Sequence, residues 1–162
     1  MSLNALAAPS AEVILQGILT NTSCSVTING GKSVLNVGVL KTTVGGVDSD
    51  FSAVNAISDK TVTMPVTLTD CTKGEEGDLI IQGITSVGNN QQNIFVAKDS
   101  QTVGFIIQDK DSNDITNGKG VRVTVDGEKA EQYEFKVGMA TTTETPAADS
   151  YSAPILVSYI VN

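Results

Sequence analysis

Residues 152–162 close the sequence with Ile155, Val157, Tyr159 and Val161 alternating against Leu156, Ser158 and Ile160. A period of two is the strand period, and here both faces of the strand are apolar. Such a strand at a sheet edge invites pairing with another chain, and natural edges are normally blunted by charge or proline. Only Pro154 precedes this one, and no charged side chain lies between Asp149 and the terminal carboxylate. Because the sequence supplies no later segment to fold back onto it, the strand is expected to find its second neighbour in another polypeptide.

The preceding residues repeat the same grammar. Val13, Leu15, Gly17 and Leu19 alternate with Ile14, Gln16, Ile18 and Thr20, which predicts a first strand over residues 13–20. A short strand is expected at 25–28. The positive-φ residues Asn29-Gly30-Gly31 then turn the chain at Lys32 into a partner strand over 33–40. Residues 61–68 alternate up to Asp70-Cys71, and Pro65, which cannot donate to a ladder, predicts a bulge or an edge there. Further strands are expected at 78–85, 94–97, 103–107, 121–125 and 133–139, separated by turn-forming clusters. No segment sustains a helical period, and turn signals recur at sandwich spacing, so the fold class is all-β and immunoglobulin-like. The expected organisation is an N-terminal extension of residues 1–11 and one domain of residues 12–162.

Composition narrows the function classes. Ten Lys and Arg stand against 18 Asp and Glu, a formal charge of -8, which repels nucleic acid and anionic lipid. No apolar stretch approaches the roughly 20 residues of a membrane-spanning helix. The chain has no His and no Trp, so the commonest general base and metal ligand and the best sugar-stacking ring are missing. An enzyme is not expected, nor a cofactor. The two cysteines, Cys24 and Cys71, fit one disulfide or two buried thiols, and a small, acidic, β-rich chain favours the disulfide and an oxidising compartment. Residues 4–9, with Ala5-Leu6-Ala7, read either as the small-residue tail of a signal peptide or as an ordinary arm.

Four segments in order carry a resemblance. They are Val13-Ile14-Leu15-Gln16-Gly17 with Cys24 seven residues on; Val66-Thr67-Leu68-Thr69-Asp70-Cys71; Val103-Gly104-Phe105-Ile106-Ile107-Gln108-Asp109; and residues 155–159. Together they resemble the fimbrial pilin subunits of the chaperone-usher pathway, of the type 1 and P pilus kind. The resemblance implies an incomplete immunoglobulin-like sandwich lacking its last strand, with a groove between its first and last strands. A periplasmic chaperone fills the groove during assembly, an outer-membrane usher exports the subunit, and the extension of a neighbouring pilin fills the groove in the fibre, by β-strand addition. It implies a fimbrial protein that passes through the periplasm to the surface of a Gram-negative cell and supports adhesion.

Carried over by position, Cys24 and Cys71 form the family disulfide. Val13, Leu15, Gly17 and Leu19 are first-strand core residues at the acceptor groove, with Ile155, Val157 and Tyr159 on its other side. Leu3, Ala5 and Ala7 are the in-facing donor residues, and the carboxylate of Asn162 is the chaperone's anchor. Family members usually end one residue after the terminal tyrosine, whereas Ile160-Val161-Asn162 follow Tyr159 here. The alternative is an adhesin, tip or terminator domain that binds a host glycan or protein receptor through loops such as 88–93.

Other candidates reduce to local structure. Asp109-Lys110-Asp111-Ser112-Asn113-Asp114 begins like a calcium loop, but Asp114 takes the place of the turn glycine and Gly120 that of the closing glutamate, so it reads as an acidic hairpin. Glu75-Glu76 and the pair Asp48 and Asp50 lie in turns without an aromatic pocket. Gly118-Lys119-Gly120 lacks the spacing of a phosphate loop.

Overall fold

A computed structural model describes residues 15, 17, 24–42, 49–127 and 129–161. The described residues form eight strands: β1 (Ser25–Ile28), β2 (Thr61–Thr69), β3 (Glu76–Thr85), β4 (Phe95–Val96), β5 (Val103–Gln108), β6 (Lys119–Thr124), β7 (Glu131–Thr141) and β8 (Ile155–Val161). The one helical element among the described residues is a 3₁₀ turn, Asn29–Gly31, where Asn29, Gly30 and Gly31 all take positive φ as the turn signal required. The fold is an all-β sandwich of immunoglobulin-like type.

Every ladder is antiparallel. Hydrogen bonding runs in the order β1-β2-β7-β5-β4-β3-β6, and β8 pairs β3 off that path. Strand β3 joins the two layers. Its last residues, Ile84 and Thr85, pair Val96 and Phe95 of β4, while its earlier residues pair β6 on one flank and β8 on the other. On the β6 side Arg122 lies opposite Asp78 and donates from Nε to its Oδ1 at 2.9 Å. This exposed pair selects register more than it adds stability.

Alternation becomes layers where each strand has one face inside. In β2 the buried positions are Met64, Val66 and Leu68, and in β3 they include Leu79 and Ile81. These meet Phe95, Ile107, Phe135 and Val137 in the main core. Strand β5 is buried on both faces because Ile106 turns the other way, into a second cluster with Ile94, Val96 and Ala140 that Ile57 covers. Its continuous apolar run is the signature of such a strand.

The strand expectations hold in β1, β2, β3, β5, β6, β7 and β8, with boundaries moved by up to three residues. The strand expected at 94–97 shrinks to Phe95 and Val96. No bulge forms at Pro65, which pairs Glu134 in an unbroken β2–β7 register. The edge explanation applies instead: β1 pairs β2 from Thr69 to Val66 and stops there, so the proline falls just where the flank of β2 opens. Residues 33–40 form no strand, and the reason lies in Asn36 and Gly38, discussed below. Of the predicted first strand only Leu15 and Gly17 are described, both outside any strand, and Leu15 is 90% exposed, so neither packs as a core residue. Val13 and Leu19 lie outside the described residues.

Cys24 and Cys71 are joined in a disulfide with their Cα atoms 4.2 Å apart. The bond sits just beyond the Ser25 to Thr69 pair and fixes the start of β1 to the end of β2. It closes a loop of 47 residues in sequence separation, which in the chain-entropy picture is worth about 4 kcal/mol. Replacing both cysteines by serine is therefore expected to lower the unfolding free energy by about 2–4 kcal/mol, read as a lower urea midpoint with an otherwise two-state transition.

Candidate functional site

The site begins with the pairing of β8. Residues Ile155–Val161 pair Gly83 back to Gly77 of β3, so the terminal strand is laddered along its whole length on one side. Among the described residues it has no ladder on its other side. Strand β1 comes near without pairing.

The two faces of β8 differ. Val157 and Tyr159 are buried in the main core, and Ile155 packs against it, whereas Leu156 on the opposite face is 57% exposed. Tyr159 fits because its partner strand carries Gly77. A Cβ there would stand 2.5 Å from Tyr159 Cε1 and 2.6 Å from the Ile160 carbonyl oxygen. The ring thus lies on bare backbone. Burial pushes the Tyr159 phenol up from its ordinary value, and the carboxylates of Glu75 and Asp78 push it further. Its hydroxyl finds no hydrogen-bond partner among the described residues.

Beside β8 a cleft of about 1530 Å³ runs into the molecule from Ile28 at the end of β1 to Ile155 at the start of β8. Its floor is apolar, made by Met64, Phe95, Phe105, Ile107, Val137 and Met139 from β2, β4, β5 and β7. Two irregular segments form its walls, residues 32–42 on one side and 146–154 on the other. An apolar trough that meets an edge strand at Ile155 offers two complementary things. The unladdered flank presents backbone donors and acceptors, and the trough takes alternate side chains.

The wall at 32–42 is clasped at its far end. Asp50 accepts from the Lys41 amide at 2.6 Å and its Oδ2 lies 3.3 Å from Lys60 Nζ, which also donates to the Val39 carbonyl. The bond from the Lys41 amide is the main reason the Asp50 carboxyl sits below its ordinary value, and the Lys60 ammonium adds to the effect against partial desolvation. A folded value below the unfolded one stabilises above the ordinary carboxylate range and is lost as pH falls through the folded value. Asp50→Asn is accordingly expected to lower the melting temperature at pH 7, with the gap to the unsubstituted chain closing below about pH 4.

The sequence candidates distribute unevenly over this geometry. Ile155 lines the cleft, while Val157 and Tyr159 share its strand face and are already packed. Leu15 and Gly17 do not reach the cleft lining, and Val13, Leu19, the arm residues Leu3, Ala5 and Ala7, and Asn162 lie outside the described residues. Sequence reasoning missed the floor residues Phe95, Phe105 and Met139. Their strands were expected, but alternation gives no sign of which strands share a trough.

The loops weighed for ligand binding serve themselves. Asn89 is buried, and its Oδ1 accepts from the amides of Asn93 at 2.8 Å and Ile94 at 3.2 Å, while its Nδ2 donates to Gln91 and Asn55. Asp109 accepts from the amides of Asp111 and Asn113, both at 2.9 Å. Desolvation pulls the Asp109 carboxyl up, but these bonds outweigh it and hold the group below its ordinary value. It behaves as the cap of its own turn.

Taken together, the antiparallel sandwich, the disulfide and the one-sided terminal strand define the fold of the chaperone-usher pilus subunits. The P pilus rod subunit PapA has it, with a TM-score of 0.64 and 13% identity over 86% of this chain and 99% of PapA. A chaperone-usher pilus structure concerned with rod uncoiling matches with a TM-score of 0.59 and 12% identity, over 96% of this chain and 97% of its own. A type I fimbria protein and antigen of Burkholderia pseudomallei matches with a TM-score of 0.51 and 15% identity, over 87% and 92%. No protein-family model matches the sequence, and no curated protein matches it either.

Proposed function

We propose that this chain is a structural subunit of a chaperone-usher pilus and that it receives a β-strand from another polypeptide in the cleft beside β8. One observation carries the reading: β8 is apolar on both faces, is laddered on one flank only among the described residues, and borders an apolar cleft of about 1530 Å³. Polar chemistry is absent from the cleft floor, so what the site can recognise is a strand with alternating aliphatic side chains. Burying four or five of them at roughly 1.5–3 kcal/mol each supplies on the order of 10 kcal/mol, enough to stabilise a domain and to hold neighbours together.

In this reading the donor is first a periplasmic chaperone and then the N-terminal extension of the next pilin, with an outer-membrane usher between the two. Leu3, Ala5 and Ala7 are the donor residues this chain offers in turn. Val13, Leu15, Gly17 and Leu19 close over the incoming strand opposite Ile155, Val157 and Tyr159, and Asn162 anchors the chaperone. The destination is a surface fimbria that supports adhesion, and no catalytic step is involved.

A synthetic peptide of alternating valine and threonine with lysines at its ends tests the proposal. At a hundredfold excess over Kd, strand capture contributes about 2.7 kcal/mol and raises the melting temperature by roughly 5–10 °C. Ile155→Asp, which places a charge in the cleft, removes that rise. An unchanged melting temperature of the unsubstituted chain with such peptides counts against strand capture.

A further inference from the structure

Residues 33–40 carry a strand pattern and yet form no strand. In an extended chain Leu35, Val37 and Val39 fall on one face. Leu35 and Val37 do pack against the core, but Val39 is 85% exposed at the rim of the cleft. The parity breaks between them. Gly38 has φ +105, outside the range an extended L-residue uses, and its amide is taken by Asn36 Oδ1 at 2.9 Å. The segment is held at both ends beside β2, by the Ile28 to Val66 pair and by the Lys60 bond to the Val39 carbonyl. Between those ends, residues 61–65 of β2 have no ladder on that flank among the described residues.

We propose that Val39 is a further contact residue for the strand received in the cleft. When the cleft fills, Gly38 passes to extended backbone and Val39 turns inward to join Leu35 and Val37 against the occupant. The driving force is local. The occupant's side chains give Val39 an apolar surface to cover, and this gain is set against the bond from the Gly38 amide to Asn36, the Lys60 bond to the Val39 carbonyl and the place of Leu40 in the cleft lining. Residues 33–40 then adopt the alternation that their sequence already carries. This inference rests on the strand-accepting function proposed above.

The test uses the full chain and the alternating valine and threonine peptide, with affinity read by titration. Val39→Ser should leave the melting temperature of the uncomplexed chain unchanged, since the side chain is exposed there, and weaken peptide binding by about tenfold. Gly38→Val, whose β-branched side chain resists positive φ, should tighten binding by about two- to fivefold by depopulating the turned-out state. If the unsubstituted chain binds the peptide and both variants bind it equally well, Val39 stays outside and the inference is overturned. If the unsubstituted chain binds no such peptide, the strand-accepting function itself falls.

Discussion

Ten residues of β3 make the two layers one molecule. Its outer end is hydrogen-bonded to β4, and so to the layer of β5, β7, β2 and β1, while the rest of its length carries β6 and β8. The sequence of β3 suits this double duty. Leu79 and Ile81 are fully buried at its centre, Gly77 leaves backbone bare where Tyr159 comes close, and Gly83 does so beneath Phe95 and the Pro154 carbonyl. Everything proposed about the terminal strand depends on this ladder, because β8 has its whole register from β3.

Much of this architecture was legible in the sequence, for one reason. Strands β2, β3, β7 and β8 are half-buried, so the period of two maps onto inside and outside, with Val157 and Tyr159 buried and Leu156 exposed in β8. The turn at Asn29–Gly31 was equally plain, since its residues are those that tolerate positive φ. What alternation does not encode is long-range pairing. That Phe95, Phe105 and Met139 floor one trough follows from β4, β5 and β7 lying side by side, a fact about strand order and not about any one strand.

Residues 33–40 show the opposite failure. The pattern there is correct and the local backbone overrides it, because an asparagine two residues before a glycine offers the chain a side-chain hydrogen bond in place of a ladder. Pro65 is a milder instance. Its missing donor predicted an interruption, and the structure meets that need by ending the neighbour at Val66. Exposed Leu15 is a third instance, since an alternating run shows which residues could share a face but not that a partner covers that face.

The bridge between Cys24 and Cys71 also sets how the domain carries a mechanical load. A pull applied to the residues before Cys24 would, without it, peel β1 from β2 one pair at a time, and β1 has only four pairs to lose. With the sulfurs joined, the tension bypasses β1 and enters β2 at its Cys71 end. There it acts along the eight-pair ladder with β7, which must slide as a unit before it can fail. A covalent shortcut of this kind lets a short first strand lead into a long tether without becoming the weak joint of the chain.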